Sequence, residues 1–299
     1  MVDLKNRISG HGVAMITPFD NDLKVDFDST TKVVDNLIDN KIDFLVVLGT
    51  TSESPTLRKE EKRDIIKHII SVNSNRVPLI LGLGGNSTQN VLDDLEYYDL
   101  NSFDALLSVT PYYNKPSQKG LYYHYKSIAI NSPLPIILYN VPHRTGVNIS
   151  PHTVYKLAND FENIVGIKEA SNDIEQAKEI LNSCPSDFIV LSGDDQHAVK
   201  MISIGAKGWI SVIGNAMPKL CSKMLNLALD GDIKNALIFQ NQISTLIDMI
   251  FSEGNPTGIK ALMNILELCK NNLRLPLVKT SSELYEKIRE EAISNQNLF

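Results

Sequence analysis

The sequence predicts an α/β fold in which eight parallel strands close into a (β/α)8 TIM barrel with a C-terminal helical extension. Eight short apolar runs lie between residues 13 and 213, and longer amphipathic stretches separate them. Strands that alternate with helices indicate a parallel sheet, and eight such units favour closure into a barrel. The 299 residues exceed the roughly 250 that such a barrel needs, which leaves room for extra helices.

The apolar runs predict strands that are buried on both faces. Aliphatic and β-branched residues follow one another in these runs without polar alternation, which is typical of a parallel sheet covered on both sides. The runs occupy residues 13–16, 44–48, 79–81, 105–109, 136–139, 164–167, 188–191 and 209–213.

Two stretches between the runs show clear helical signals. Residues 150–158 begin with Ser150 as a capping residue, followed by proline at the first helical position. Residues 58–72 have the spacing of an amphipathic helix. Its apolar face consists of Ile65, Ile66, Ile69 and Ile70.

Beyond the eighth run the sequence predicts a helical tail. Apolar periodicity there predicts helices at residues 233–251, 258–269 and 281–293. No Pro-, Gly- or Ser-rich linker precedes the tail. We therefore divide the chain into a barrel at residues 1–218 and a helical part at residues 219–299 that packs on the barrel.

An open, doubly wound sheet is the alternative architecture. The GLGG stretch at residues 82–85 lacks the third glycine of a dinucleotide-binding fingerprint, and the sequence has no Walker motif. These absences favour the barrel.

Composition excludes several classes of function. The net charge of −6 and the lack of a dense Lys/Arg run argue against nucleic-acid or anionic-membrane binding. No apolar run is long enough to cross a bilayer, and the N-terminal residues have no secretory h-region. Cys184, Cys221 and Cys269 are odd in number and widely spaced. They predict reduced thiols in the cytoplasm rather than a disulfide framework or a zinc site.

Polar motifs follow five of the eight apolar runs. In barrel enzymes the chemistry lies at the carboxyl ends of the strands, on the loops that lead into the helices. We therefore expect these motifs to converge at one mouth of the barrel. They are GTTSES at 49–54, TPYYNK at 110–115, YNVPHRTG at 139–146, GIKEAS at 166–171 and SGDD at 192–195.

Lys168 is the most informative residue, because it directly follows a predicted buried strand. Burial disfavours the ammonium form of a lysine and leaves a nucleophilic amine. Such an amine attacks a ketone to form an iminium ion, an electron sink that acidifies the neighbouring carbon. The alternative interpretation is an ion pair between Lys168 and Glu169.

Four further polar residues suit an aldol reaction. Tyr139 ends the preceding strand, and its phenol can act as general acid and base; alternatively it is a core aromatic bound to backbone. Thr50 and Thr51 could hydrogen-bond a substrate carboxylate or the Tyr139 hydroxyl. Threonines that follow a strand also cap helices, which is the alternative interpretation. Arg144 lies in a turn-rich loop and suits a substrate carboxylate, unless it is an ordinary surface charge.

Taken together and in order, these motifs resemble the dihydrodipicolinate synthase family. The resemblance covers nearly the whole chain. It continues with GWISV at 208–212, NP at 255–256 and LRLP at 273–276.

The resemblance implies a lyase of the class I aldolase type that condenses pyruvate with L-aspartate 4-semialdehyde in lysine and diaminopimelate biosynthesis. Lys168 would carry the imine of pyruvate, and Arg144 would bind the carboxylate of the semialdehyde. Tyr113 would join a proton relay from across a dimer interface. The full implied site consists of the relay Tyr139, Thr51 and Tyr113, the pyruvate-carboxylate contacts Thr50 and Thr51, and the pocket-shaping backbone of Gly193 and Ile210.

The resemblance further implies that no metal or organic cofactor is needed and that the protein is a homotetramer built as a dimer of dimers. N-acetylneuraminate lyases and 2-keto-3-deoxy sugar acid aldolases are the alternatives within the superfamily. They generally lack an arginine at the position of Arg144, which favours the synthase.

Two alternatives of other classes remain. A noncatalytic barrel that binds a keto acid would not need Lys168, Tyr139 and Tyr113. A metal-dependent aldolase would need clustered histidines and carboxylates, and the six histidines show no HExxH spacing.

Two departures from the family pattern carry expectations. Ser52 stands where many members have glycine, which would matter if that position needed a positive φ. Asn90 and Lys59 stand where lysine-inhibited members carry an acidic residue and a histidine, whereas Tyr112 and Asn86 match. We therefore expect weak or absent inhibition by lysine.

Overall fold

Eight parallel strands form a closed barrel in sequence order, and β1 pairs with β8 to complete it. The computed structural model describes residues 7–295 and 297. This architecture confirms the predicted (β/α)8 barrel and rules out the open sheet. The strands are β1 Gly10–Ala14, β2 Phe44–Val47, β3 Leu79–Gly82, β4 Ala105–Val109, β5 Ile136–Asn140, β6 Ile164–Glu169, β7 Ile189–Ser192 and β8 Gly208–Ser211.

Helices connect the strands and continue beyond the barrel. Two 3₁₀ turns, Thr50–Ser52 and Ser54–Thr56, follow β2. The α-helices are α1 Phe27–Asp39, α2 Lys59–Asn73, α3 Thr88–Tyr97, α4 Gln118–Asn131, α5 Pro142–Thr145, α6 Pro151–Asp160, α7 Ile174–Ser183, α8 Ala198–Ser203, α9 Pro218–Leu229, α10 Ile233–Ser252, α11 Thr257–Ile265 and α12 Ser282–Ser294.

The helical signals read from the sequence agree with these bounds to within a few residues. Ser150 caps α6 as predicted, since its side chain accepts a hydrogen bond from the Thr153 amide. The second tail helix is shorter than expected. It ends at Ile265 because the chain turns at Glu267, whose φ is +60°.

The first and last strands begin earlier than the apolar runs suggested. β1 contains His11, which is fully buried. Its two ring nitrogens are satisfied there, since the Ser222 and Ser211 hydroxyls lie 2.9 Å from them. β8 starts at Gly208, where an added Cβ would lie 2.3 Å from the Gly10 carbonyl oxygen. Glycine and histidine can therefore belong to a buried strand without looking apolar.

Two hydrophobic cores flank the barrel wall. Residues that point inward fill the barrel, and those that point outward pack against the helices. β5 alternates regularly, so Ile137 and Tyr139 point inward while Ile136 and Leu138 point outward.

β6 breaks this alternation with a β-bulge. Ile136 pairs with Ile164, but Ile137 pairs with Gly166, so β6 holds one extra residue. Ile164 and Ile167 consequently both pack in the outer core, three residues apart. A bulge inverts the facing of every residue that follows it. Lys168, four residues after outward-facing Ile164, would point outward in a regular strand; the bulge turns it inward.

The C-terminal helices are tied to the loop after β2 by buried charges. Lys260 of α11 forms a fully buried ion pair with Glu53, whose φ is +57°. Glu53 Oε2 also accepts a hydrogen bond from the Arg274 amide at 3.0 Å. The Arg274 guanidinium in turn donates to both carboxylate oxygens of Glu61. The predicted division of the chain at residue 218 falls on the first residue of α9.

Candidate active site

Two adjoining cavities open at the carboxyl ends of the strands. One, the lysine cavity, has a volume of about 660 Å³ and contains Lys168 in its wall. The other, the side cavity, has a volume of about 410 Å³ and reaches toward Tyr112 and Leu277. The wall that they share consists of Gly49, Thr50, Leu107, Tyr139, Val141, Arg144 and Asn255.

Lys168 is a buried amine aimed into the barrel. Its side chain is 4% exposed, and Nζ lies 4.5 Å from the centroid of the Tyr139 ring. The two residues are register partners on β5 and β6. The amine and the phenol that the sequence singled out therefore stand side by side at the base of the lysine cavity.

Glu169 is not the partner of Lys168, because its carboxylate is bound elsewhere. It accepts hydrogen bonds from Asn140 Nδ2 and Gln176 Nε2 at 3.0 Å and from the Ser171 amide at 2.7 Å. Burial raises the pKa of this carboxyl group, and these hydrogen bonds partly offset the effect. Asn140 also binds Asn148 Oδ1, so the cluster joins the ends of β5 and β6 to the loop that carries Arg144.

Gly193 makes room for the lysine. A Cβ at this position would lie 3.0 Å from Lys168 Cε and 2.6 Å from Ala170 Cβ. The Gly193 amide donates to the Glu169 carbonyl at 2.7 Å. A side chain here would press on the lysine stem, so the position requires glycine for close approach.

Thr50 and Thr51 begin the 3₁₀ turn after β2. Thr51 is buried and its Oγ1 accepts a hydrogen bond from Asn255 Nδ2 at 3.0 Å. Thr50 is partly exposed and borders both cavities. Ser52 ends the same turn, and its hydroxyl donates to the Gly49 carbonyl at 2.6 Å. Serine is accommodated because Ser52 itself does not have a positive φ, whereas the next residue, Glu53, does.

Arg144 lies on the short helix α5, which proline starts and Gly146 ends with φ +72°. Arg144 borders both cavities, and its Nη2 donates to the backbone carbonyl of Asn255 at 3.4 Å. The side chain is otherwise exposed, so its charge is available to an anion that enters the mouth.

Two residues that were predicted to belong to the site, Tyr113 and Ile210, do not line either cavity within one chain. Tyr113 is 88% exposed and has a φ of +74°, a conformation that is rare for a residue with a side chain. Ile210 is fully buried in the inner core of the barrel below the site. Neither is among the residues that line the lysine cavity or the side cavity.

Asn255 and Asp195 were given no role by the sequence. Asn255 follows a helix instead of a strand, so the strand-end rule does not find it. Asp195 is fully buried, and burial raises its pKa to about 7. Its carboxylate accepts hydrogen bonds from the Val212 and Ile213 amides and from Trp209 Nε1, which fixes the turn after β8. The SGDD motif signalled a functional strand end but not this contact.

Comparison with known proteins decides the family. The family model described as "Dihydrodipicolinate synthetase family" matches residues 7–295. The chain belongs to this family. A 4-hydroxy-tetrahydrodipicolinate synthase from Azobacteroides pseudotrichonymphae is 50% identical over 283 residues, which cover 95% of this chain and 96% of that protein.

Solved structures of dihydrodipicolinate synthases superimpose over the whole barrel. The enzyme from Acinetobacter baumannii, in complex with pyruvate, is 40% identical with a TM-score of 0.93 and covers 98% of this chain and 100% of its own. A monomeric dihydrodipicolinate synthase variant is 36% identical with a TM-score of 0.95, covering 99% of both chains. These findings confirm the predicted family and its enzyme class.

The structure also shows the surroundings of Lys59 and Asn90, the two positions on which the expectation of weak lysine inhibition depends. Lys59 Nζ lies 2.7 Å from Asp94 Oδ1, and this hydrogen bond raises the pKa of Lys59. Asn90 is exposed on α3, the same helix as Asp94. Neither position supplies a carboxylate.

The described residues contain neither a metal-site cluster nor a helix suited to a membrane span. Within residues 7–295 and 297, no cluster of three or more His, Cys, Asp or Glu side chains is arranged as a metal site. In the same part of the chain no helix is both long and apolar enough to cross a membrane.

Proposed function

We propose that the protein is a 4-hydroxy-tetrahydrodipicolinate synthase that condenses pyruvate with L-aspartate 4-semialdehyde through an imine on Lys168. The observation that carries the proposal is the buried Lys168 amine, which the bulge in β6 turns into a cavity beside Tyr139. A nucleophilic amine, a phenol and an arginine that share one cavity are what an aldol reaction between two carboxylate substrates requires.

The first half of the reaction loads pyruvate. Lys168 Nζ attacks the pyruvate C2, and the carbonyl oxygen leaves as water with protons that Tyr139 relays. Thr50 and Thr51 hold the pyruvate carboxylate. Loss of a proton from C3 then converts the imine into an enamine, since the cationic nitrogen accepts the electron pair.

The second half forms the carbon–carbon bond. The enamine C3 attacks the aldehyde carbon while Arg144 holds the carboxylate of the semialdehyde. The new alkoxide takes a proton and becomes the 4-hydroxyl group. The amino group from the semialdehyde then attacks C2, closes the ring and releases the Lys168 amine.

The proposed relay, Tyr139, Thr51 and Tyr113, needs a second subunit. Tyr113 is exposed and strained within one chain, and the neighbouring Tyr112 is also exposed. Strained residues often serve a function at interfaces and sites. We therefore propose a homotetramer built from pairs of tight dimers, in which Tyr113 enters the partner's site. Tyr113→Phe should lower turnover without changing the mass found by sedimentation.

The same proposal includes a cytoplasmic location and no cofactor. The imine nitrogen serves as the electron sink, so the mechanism assigns no step to a metal or an organic cofactor. Cys184, Cys221 and Cys269 are buried free thiols, as expected in a reducing compartment. Backbone groups of Gly193 and Ile210 are proposed to shape the base of the pocket.

The deciding experiment pairs trapping with a substrate comparison. Borohydride added with pyruvate should give a covalent adduct on Lys168, located by peptide mass spectrometry. Product should form with aspartate semialdehyde and not with N-acetylmannosamine offered side by side. A protein that binds pyruvate without forming the adduct would be a noncatalytic barrel, and turnover of the sugar alone would assign it to the lyases.

A further inference from the structure

Asn255 lies between two groups that the proposed function assigns to different substrates. Its side-chain Nδ2 donates to Thr51 Oγ1 at 3.0 Å, and its backbone carbonyl oxygen accepts from Arg144 Nη2 at 3.4 Å. The residue is 7% exposed and borders both cavities. It belongs to the loop between α10 and α11, so it reaches the site from the C-terminal helices.

In the hydrogen bond between Asn255 and Thr51, the amide donates and the hydroxyl accepts, and this decides where the Thr51 hydrogen can point. A hydroxyl group has one hydrogen to donate and two lone pairs that accept. Because the Asn255 Nδ2 donates, it occupies a lone pair of Thr51 Oγ1. The Thr51 hydrogen then has to point to another acceptor, and Thr51 borders the lysine cavity.

We infer that Asn255 is a positioning residue that makes the Thr51 hydroxyl a hydrogen-bond donor toward the carboxylate of pyruvate. The inference rests on the proposed function. A carboxylate can only accept hydrogen bonds, so it requires a donor in the cavity wall. The contact with Arg144 is made by the backbone carbonyl of residue 255 and does not depend on the asparagine side chain, so the inference concerns Thr51 alone.

The test replaces Asn255 with an isosteric residue of opposite hydrogen-bonding character. In Asn255→Asp a carboxylate faces Thr51 and can only accept, so the Thr51 hydrogen turns away from the cavity. Loss of a hydrogen bond to a charged group corresponds to about a tenfold to hundredfold rise in KM for pyruvate. Imine formation, followed by borohydride trapping, should slow by a similar factor.

The pH profile separates positioning from a structural role. A protonated carboxyl group can donate again, so the KM of Asn255→Asp should approach the wild-type value as pH falls. Asn255→Ala has no such group, and its ratio to wild type should stay constant with pH. A purely structural defect would be equal at every pH in both variants and would overturn the inference.

Asn159→Asp is the matched control. Asn159 is exposed on α6, and its amide donates only to the Tyr155 carbonyl. This variant adds the same charge far from the cavity and should keep the wild-type KM and pH profile. Thermal unfolding of all variants shows which of them are folded.

A double-mutant cycle tests whether Asn255 acts through Thr51. Thr51→Val removes the hydroxyl, so adding Asn255→Asp should raise KM for pyruvate little further. Additive effects, or a wild-type KM in Asn255→Asp, would overturn the inference. If wild-type protein forms no adduct with pyruvate, the proposed function itself fails, which is a different result from an adduct that Asn255 does not influence.

Discussion

The carboxyl ends of β5 and β6 and the loop between α10 and α11 line the same cavity, but they contribute different groups. The strand ends provide Tyr139 and Lys168, which can react. The C-terminal helices provide Asn255, which holds Thr51, and Lys260, which holds Glu53. The groups to which we assign the chemistry therefore come from the barrel strands, and the extension provides groups that hold the loop after β2.

This difference has a physical basis. Side chains on adjacent parallel strands are fixed relative to one another by the ladder of backbone hydrogen bonds. The β2 loop has no such ladder, since it consists of two 3₁₀ turns. Its backbone hydrogen bonds are local, such as that from the Glu53 amide to the Thr50 carbonyl at 3.3 Å. The Thr51 hydroxyl is bound by Asn255, which lies 204 residues away in the chain.

The largest expected effect is on the barrel side. Lys168→Ala should reduce turnover by at least about a thousandfold, because the reaction loses its nucleophile and its electron sink. Lys168→Arg keeps the charge and should lose the adduct equally. Steady-state assay and borohydride trapping measure both, with thermal unfolding to show that the fold is retained. Substantial activity in either variant would remove Lys168 from the mechanism.

On the extension side the largest effect should be on stability. Lys260→Met leaves the buried Glu53 carboxylate without its ion pair, which costs about 3–5 kcal/mol. Glu53→Gln combined with Lys260→Met removes both charges and should recover a large part of that loss. Urea unfolding gives the two free energies. Equal destabilisation by the single and the double change would show that charge is not the reason.

Asp195 links the barrel to the C-terminal helices, because its backbone carbonyl accepts a hydrogen bond from the Gln240 side chain of α10. Its pKa is raised from 3.8 to about 7 by burial, so the folded protein keeps this proton while the unfolded chain loses it. The protonated Asp195 therefore adds to the free energy of unfolding, and this contribution is fully present below pH 3.8. It is lost as the pH rises to about 7, and the loss is on the order of 3 to 4 kcal/mol.

Asp195→Asn should remove this pH dependence. The unfolding free energy of wild type minus that of the variant should fall between pH 4 and 7, and groups common to both proteins cancel in the difference. Urea unfolding at several pH values gives the profile. Parallel curves would mean that Asp195 does not titrate in this range.

The bulge in β6 can be tested next. Gly166→Ala places a Cβ 2.6 Å from the Ile189 carbonyl oxygen, so the strand has to shift and Lys168 moves with it. A misplacement of about 1 Å costs on the order of a hundredfold in rate. Trapping with pyruvate should slow accordingly.

Gly85→Ala is the matched control for this change, because its Cβ would meet only Val91 Cγ2 at an ordinary 3.5 Å. This variant should trap pyruvate at the wild-type rate. If Gly166→Ala does so as well, the position of Lys168 does not depend on the close approach of Gly166 to β7.

The smallest expected effect concerns regulation. Lysine should inhibit weakly or not at all, since Lys59 adds like charge and Asn90 provides no carboxylate for the lysine ammonium. Rates measured with and without lysine at saturating pyruvate give the result. Inhibition at sub-millimolar lysine would contradict this expectation.

Much of the fold was open to prediction from the chain. Buried apolar runs alternating with helical periodicity gave eight strands and their order, and polar motifs after five runs marked the end of the barrel at which the two cavities open. Strand limits were less accurate at His11 and Gly208, because a buried strand tolerates such residues when hydrogen bonds or close packing accommodate them. The order of the motifs also identified the family.

Local sequence by itself determined which residues end each strand, because that follows from apolar runs and turn-forming residues that are neighbours in the chain. Only the tertiary structure decided which way Lys168 faces, since a strand buried on both sides has no polar alternation and the bulge depends on pairing with β5. It likewise decided that Asn255 meets Thr51 across 204 residues. That contact depends on how the C-terminal helices pack on the barrel, and no local pattern encodes it.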